Sequence, residues 1–174
     1  MSVPHPCPII LVGMMLSGKT TIGRRLADHL GWSFLDLDAE IEERSQRSVR
    51  QLFEIGEDHF RQIERETLSQ ILGSERFRGV LSLGGGAFVD PSSRALCNQV
   101  GLTVYLSAEP QTLASRYGSG GDRPLLDKDP IAALTEILGA REAMYREAKY
   151  ALPVDGRTPD ELVDLIAGIY EAHH

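Results

Sequence analysis

The chain has 174 residues, 42% of them hydrophobic, which is enough for one well-packed domain and too little for two ordinary ones. Its apolar runs fall far short of the roughly 20 residues that a membrane helix needs, and a net charge of −7 argues against a broad cationic surface for nucleic acid. We therefore expect a single domain over residues 1–174 that acts on a small molecule, with no membrane and no nucleic-acid partner.

The N-terminal residues and the cysteines indicate the compartment. Prolines precede the first apolar run, which leads directly into a glycine loop, and this is unlike a signal or transit peptide. Cys7 and Cys97 form neither a CxxC motif nor a metal-ligand spacing, so reduced thiols are favoured over a disulfide. We expect a cytoplasmic protein.

Short apolar runs alternate with helical patterns along the whole chain. The runs of strand length lie at residues 9–12, 33–37, 80–83, 102–106 and 151–154. Helix starts are predicted where a capping residue is followed by a proline or by a capping-box partner, at Ser48, Asp90, Asp129 and Thr158. This alternation predicts an α/β fold, with a parallel sheet and crossover helices.

The first predicted strand runs into a phosphate-binding pattern, GxxxxGK[ST], at residues 13–20. Small residues let consecutive backbone N–H groups point inward, and the following helix adds its positive N-terminal end. Lys19 is expected to reach the β and γ phosphates of a nucleotide, and Thr20 to offer its hydroxyl to Mg²⁺. The predicted nucleotide-binding residues here are Gly13, Met14, Met15, Leu16, Ser17, Gly18, Lys19, Thr20 and Thr21.

Leu16 is the unusual residue of this loop, because many small-molecule kinases of this type carry glycine there. The general pattern permits any residue, so we expect a modest local adjustment and no loss of binding. The alternative, a glycine-rich turn with a surface lysine, is disfavoured by the apolar strand before the loop and the helical pattern after it.

Asp36 and Asp38 stand at the end of the second predicted strand. Alternation along a strand predicts that both side chains point the same way, toward the carboxyl edge where open α/β sheets bind ligands. Asp38 also begins a helical pattern, so it can serve as a carboxylate favoured by the helix dipole. Both interpretations can hold together.

Three later motifs complete the set: FRxIE at residues 60–64, LGGG at residues 83–86 and RPLL at residues 123–126. With the phosphate loop and the LDLD stretch, their order and spacing resemble the shikimate kinase family along essentially the whole chain. The resemblance implies a three-layer P-loop kinase fold with five parallel strands in the order 2-3-1-4-5. It also implies transfer of the γ-phosphate of ATP to the 3-hydroxyl of shikimate, a step of aromatic amino-acid biosynthesis.

The resemblance implies roles on the phosphate side of the site. Asp36 looks like the carboxylate that holds Mg²⁺ through its water shell beside Thr20, since residues 82–86 offer no aspartate after the third strand. Arg123 looks like a lid arginine within a mobile loop over residues 117–129. Arg116 and Arg157 match residues beside the adenine, although both could be ordinary surface arginines.

The resemblance also implies roles on the acceptor side, within a region of about residues 36–66 and beyond. Asp38 looks like the residue that binds the substrate hydroxyls and acts as general base. Arg61 and Arg141 match the arginines that bind the shikimate carboxylate, with Glu64 one helical turn from Arg61. The three glycines Gly84, Gly85 and Gly86 allow the backbone to approach the ring hydroxyls closely. Phe53 and Phe60 either line the bottom of the pocket or belong to the core.

Two other functions remain open at this stage. Another small-molecule kinase, for gluconate or AMP, would share the phosphate loop but not the three later motifs together. A catalytically silent homologue should have lost at least one of four residues that are all present: Lys19, Asp36, Asp38 and Arg123. The resemblance favours a monomer.

Overall fold

The structure is a computed structural model that describes residues 7–73, 77–118 and 128–173. Strands and helices alternate along these residues, as the sequence predicts. The order is β1 (Ile9–Val12), α1 (Lys19–Leu30), β2 (Ser33–Asp36), α2 (Leu37–Ser45), α3 (Val49–Ile55), α4 (Glu57–Gly73), β3 (Gly79–Ser82), a 3-10 helix (Ala87–Val89), α5 (Pro91–Val100), β4 (Leu102–Ser107), α6 (Pro110–Ser115), α7 (Pro130–Tyr145), β5 (Tyr150–Pro153) and α8 (Pro159–His173).

The five strands form one parallel sheet in the order β2-β3-β1-β4-β5. In the middle of the sheet, Ile10 of β1 lies opposite Leu81 of β3 on one side and Thr103 of β4 on the other. These central strands are buried along their whole length, as continuous apolar runs in a parallel sheet should be. The predicted strand order 2-3-1-4-5 is confirmed.

The helix starts predicted from capping signals are also confirmed. The Ser48 hydroxyl accepts a hydrogen bond from the Gln51 N–H at 3.1 Å, and the Gln51 side chain accepts one from the Ser48 N–H at 2.9 Å. Asp90 and Asp129 cap α5 and α7, each directly before a proline in the first turn. Local sequence therefore sets these boundaries.

One predicted boundary is wrong, because β2 ends at Asp36 and α2 begins at Leu37. An Asp36 carboxylate oxygen accepts hydrogen bonds from the N–H groups of Asp38 at 3.1 Å and Ala39 at 3.3 Å, which starts the helix. Asp38 therefore lies in the first turn of a helix, and the argument from strand alternation does not apply to it.

Helix α1 packs against α8 and against the sheet, and α4 packs against α2, α3 and α5. Gly23 of α1 lets this helix lie close to β2, because a Cβ there would stand 2.5 Å from the Phe34 ring. The loops that follow the strands meet at the carboxyl edge of the sheet, where ligands bind in such folds. Among the described residues, none of the helices combines the length and apolar character needed to span a membrane.

Candidate active site

The phosphate loop turns sharply between β1 and α1. Gly13 has φ +144° and Gly18 has φ +97°, both in the region that favours glycine. A Cβ on Gly13 would lie 2.7 Å from the Leu106 carbonyl, so the absence of a side chain lets the loop pass close to β4. The loop is thus fixed by its own backbone angles and by the neighbouring strand.

Lys19 begins α1 and is only 8% exposed. Its ammonium donates hydrogen bonds to the carbonyls of Gly13 at 2.9 Å and Met14 at 2.6 Å. The hydroxyl of Ser17 is fully buried and has no hydrogen-bond partner among the described residues. A Cβ on Gly13 would lie 3.3 Å from the Ser17 oxygen, so this hydroxyl lies inside the turn and does not border the cavity.

Leu16 has φ +66°, a left-handed conformation that costs a residue with a side chain roughly 1–2 kcal/mol. This angle explains why glycine suits the position. The Leu16 carbonyl accepts a hydrogen bond from the Arg116 guanidinium at 3.0 Å, which joins the end of α6 to the phosphate loop. Leu16 is therefore held at an angle that glycine adopts at lower cost, and its effect on nucleotide binding stays a prediction.

Thr20 and Asp36 are brought together although they come from different elements. The Thr20 hydroxyl donates to one Asp36 oxygen at 2.8 Å, and the other oxygen caps α2. Both groups offer the hard oxygen ligands that Mg²⁺ prefers. Within the described ranges, no cluster of three or more His, Cys, Asp or Glu residues could hold a metal ion.

Asp38 faces the same cavity as Thr20 and Asp36. Burial raises the pKa of the Asp38 carboxyl above its usual range, and the neighbouring Asp36 charge raises it further, against the opposite effect of Lys19. A Cβ on Gly84 would lie 2.7 Å from an Asp38 oxygen. This carboxylate is therefore crowded, partly desolvated and close to the phosphate loop.

Arg61 of α4 is held by an ion pair and two aromatic rings. Its guanidinium contacts the Glu64 carboxylate at 2.7 Å, which is the pair expected one helical turn apart. It also lies 5.6 Å from the Phe53 ring centroid and 5.2 Å from that of Phe60, and the two rings stack on each other at 4.3 Å. Burial raises the pKa of Glu64, although the hydrogen bond from Arg61 lowers it.

The three consecutive glycines after β3 each face a different charged side chain. A Cβ would meet Asp38 at Gly84 (2.7 Å), Arg141 at Gly85 (3.5 Å) and, closest of all, Arg61 at Gly86. The glycines therefore make room for one carboxylate from α2 and two guanidinium groups from α4 and α7. Side chains from three helices pack against this segment, which argues against its being only a loose turn between a strand and a helix.

The cavity at this edge has a volume of about 370 Å³. It is bordered by the phosphate loop, the two aspartates, the first two glycines and Arg116. Arg157 does not line it: this residue is exposed and donates to the Pro153 carbonyl at 2.7 Å. Arg123 lies outside the described residues. A larger groove of about 440 Å³ between α4 and α5 holds none of the predicted site residues.

One residue of the site is absent from the sequence-based prediction. Tyr145, fully buried at the end of α7, donates a hydrogen bond to the Gly85 carbonyl. The sequence feature that could have identified Tyr145 is its position four residues after Arg141, because residues i and i+4 share a helix face.

A phosphate loop between β1 and α1 of this sheet, with a threonine and an aspartate side by side and an acidic residue beyond them, defines a small-molecule kinase of the P-loop class. The shikimate kinase family model matches residues 15–169, so this chain belongs to the shikimate kinase family. It is accordingly an ATP-dependent phosphotransferase.

Similar proteins agree with this assignment. The shikimate kinase of Caulobacter vibrioides is 40% identical over 169 residues, covering 95% of this chain and 83% of its own. That of Zymomonas mobilis subsp. mobilis is 40% identical over 167 residues, covering 95% and 94%. A solved structure, shikimate kinase from Acinetobacter baumannii in complex with shikimate, is 34% identical with a TM-score of 0.88, covering 96% of this chain and 94% of that one.

Proposed function

We propose that this enzyme transfers the γ-phosphate of ATP to the 3-hydroxyl of shikimate, giving shikimate 3-phosphate and ADP. The observation that carries the proposal is the convergence of Asp38, Arg61 and Arg141 on three glycines beside a phosphate loop. Shikimate is a small acid with three hydroxyls, so it needs cationic groups for its carboxylate and polar groups for its ring. The acceptor side supplies both kinds of group.

On the phosphate side, residues 13–20 surround the triphosphate, with Lys19 beside the β and γ phosphates. Gly18, Lys19 and Thr20 border the cavity at this edge, which supports the assignment. Arg116, anchored on the Leu16 carbonyl, borders the nucleotide. The roles of Arg157 beside the adenine and of Arg123 in a lid over residues 117–129 stay predictions from the sequence.

Mg²⁺ fits the oxygen pair formed by the Thr20 hydroxyl and the Asp36 carboxylate, whose oxygens Oγ1 and Oδ2 lie 2.8 Å apart. Two protein ligands suit an ion that keeps several waters and completes its shell with phosphate oxygens. Bound there, Mg²⁺ would neutralise charge on the phosphates during transfer.

On the acceptor side, Arg61 and Arg141 bind the carboxylate of the acid. Asp38 accepts the proton of the attacking hydroxyl, and its raised pKa makes it a better base than an exposed aspartate. The glycine backbone approaches the ring hydroxyls because no Cβ stands in the way. The protein therefore works mainly by positioning the two substrates and balancing charge around the transferred group.

A coupled assay of ADP formation tests the proposal, with shikimate, gluconate and AMP as separate acceptors. We expect turnover with shikimate in the ordinary kinase range of about 1 to 100 per second. Turnover of gluconate or AMP without shikimate would assign another small-molecule kinase. Binding of ATP or shikimate with no turnover of any acceptor would instead indicate a catalytically silent homologue.

Two further properties stay predictions from the sequence. The family resemblance favours a monomer, which sedimentation or light scattering of the purified chain measures directly. The cytoplasmic localisation is tested by fractionation of the cells that make the protein.

A further inference from the structure

Tyr145 is one of the largest fully buried side chains of the described residues. Its hydroxyl donates to the Gly85 carbonyl, and its oxygen lies 3.7 Å from the sulfur of Met14 in the phosphate loop. Its ring packs on Tyr105 of β4, with the centroids 5.3 Å apart. Tyr145 thus contacts both halves of the site, and none of the roles assigned above uses it.

The hydrogen bond to Gly85 fills a gap in the glycine segment. The two flanking carbonyls bond to the 3-10 helix that follows: Gly84 accepts from the Ala87 N–H at 3.2 Å, and Gly86 from the Val89 N–H at 3.1 Å. The carbonyl between them accepts instead from the Tyr145 hydroxyl. The middle peptide of the segment is therefore held by a side chain from α7.

This bond fixes more than one carbonyl. A trans peptide is planar, so the N–H of Gly86 points opposite to the carbonyl of Gly85. Two adjoining glycines have unusually wide backbone freedom and cannot hold this peptide plane by themselves. The Tyr145 hydroxyl therefore decides the direction of the Gly86 N–H, beside the Arg61 guanidinium.

Arg141, one helical turn earlier on α7, lies beside the same glycine as this hydroxyl, because a Cβ on Gly85 would stand 3.9 Å from the Tyr145 oxygen. Burial raises the pKa of Tyr145, against a smaller opposite effect of the Arg141 charge and hydrogen bond, so the hydroxyl stays a donor at neutral pH. Arg141 in turn lies 3.5 Å from where a Cβ of Gly85 would be. Tyr145, Arg141 and Gly85 form one set of contacts.

We propose that Tyr145 is a positioning residue for the acceptor: its hydroxyl holds the Gly85–Gly86 peptide and the Arg141 guanidinium in the arrangement that binds the acid. The inference rests on the proposed function, because it concerns the acceptor side of that site. It predicts an effect on the acceptor that the nucleotide does not share.

The test is the Tyr145→Phe variant, which keeps the ring and its packing on Tyr105 and removes only the hydroxyl. We expect the KM for shikimate to rise roughly 5- to 10-fold, as for loss of one hydrogen bond. The KM for ATP should stay within twofold of the wild-type value. Calorimetric titration should show shikimate binding weakened by the same factor as the KM.

Tyr105→Phe is the matched control, since it removes a hydroxyl from the other ring of the same pair. Tyr105 belongs to β4 and has no part in the proposed binding of either substrate, so we expect both KM values to stay at the wild-type level. A lower melting temperature in Tyr145→Phe with unchanged kinetic constants would overturn the proposal, because the residue would then be only structural. Equal increases in both KM values would overturn it as well.

The wild-type enzyme separates this inference from the proposed function. If wild type neither binds nor phosphorylates shikimate, the proposed function fails, and the acid that it does turn over takes shikimate's place in the comparison. If wild type phosphorylates shikimate and Tyr145→Phe does so with the same KM, the inference alone fails.

Discussion

The two halves of the site are built in different ways. The phosphate loop is one contiguous segment of residues 13–20, shaped by its own left-handed backbone angles. The acceptor side draws Asp38 from α2, Arg61 from α4 and Arg141 from α7, and all three meet at glycines that follow β3. Nucleotide binding is therefore encoded locally, while acceptor binding depends on how distant elements pack.

The difference predicts how each half responds to change. In the phosphate loop, a substitution should remove one ligand of the nucleotide and affect binding of the acceptor much less. On the acceptor side, neighbouring groups support one another: Arg61 is held by Glu64 and two aromatic rings, and Asp38 abuts Gly84. A change at one point there should displace another residue.

The largest effect should come from Asp38→Asn, which removes the proposed base. We expect kcat to fall about 10³-fold, within the range for general base catalysis. In wild type, activity should fall as the pH drops through the raised pKa of Asp38, and this dependence should be lost in the variant. Turnover measured across pH at saturating shikimate checks both.

The thermal stability of the Asp38→Asn variant distinguishes two interpretations of Asp38: a partly desolvated general base, and a carboxylate that only stabilises the start of α2. The pKa of Asp38 is higher in the folded protein than in the unfolded chain. Such a group stabilises the fold at pH values below its pKa in the unfolded chain, and this stabilisation is lost as the pH rises through its pKa in the folded protein. At pH 7 the ionised carboxylate is thus unfavourable, so Asp38→Asn should melt at a higher temperature. A charge that merely served the helix dipole would have the opposite effect, and Asp58→Asn in the first turn of α4 is the control.

A second large effect should come from Lys19→Met on the phosphate side. Loss of a cation at the transferred phosphate should lower kcat/KM for ATP about 10²-fold, as for removal of one donor to a developing charge. Calorimetric affinity for shikimate should change much less, because Lys19 acts on the acceptor side only through its charge near Asp38. Lys149→Met is the control, since its ammonium donates to the Gly101 carbonyl at 2.8 Å, directly before the start of β4 and at the opposite end of that strand from the site. A loss of shikimate affinity as large as the loss of kcat/KM for ATP in Lys19→Met would contradict the comparison.

A smaller effect is expected from Gly86→Ala, which tests the packed character of the acceptor side. The backbone of Gly86 has φ −99°, so alanine adds no strain of its own and only its Cβ meets the Arg61 guanidinium. Displacing this group should raise the KM for shikimate about tenfold, as small misplacements do, with the KM for ATP unchanged. Gly168→Ala in α8, where a Cβ meets nothing within 4 Å, is the control.

The same contrast explains which features could be predicted from the sequence. The position of the loop between β1 and α1 and the helix caps follow from short contiguous patterns, while the strand order follows from the family resemblance, and the structure confirms all three. Asp38 lies at the expected edge of the sheet, but the argument from strand alternation is wrong. The capping hydrogen bonds of Asp36 end the strand before Asp38, which belongs to α2. Tyr145 could not be assigned, since its contact with Gly85 exists only after α7 has packed on the 3-10 helix.

The smallest effect should come from Leu16→Gly in the phosphate loop. Glycine removes the cost of about 1–2 kcal/mol that a side chain has at this left-handed angle. Its greater conformational freedom in the unfolded chain destabilises the folded state by about 0.5–1 kcal/mol, which offsets part of that gain. The free energy of unfolding should therefore rise by no more than about 1.5 kcal/mol. Because Arg116 binds the backbone carbonyl at this position and not the side chain, the KM for ATP should change less than threefold.

Gln46→Gly is the control for Leu16→Gly, since Gln46 has a similar angle, φ +54°, at the C-terminal end of α2. Denaturant unfolding should give similar changes for both variants if relief of backbone strain is the whole effect. A tenfold rise in the KM for ATP in Leu16→Gly alone would show that the leucine side chain itself contributes to nucleotide binding. The phosphate loop would then depend on packing as the acceptor side does, and the contrast between the two halves would narrow.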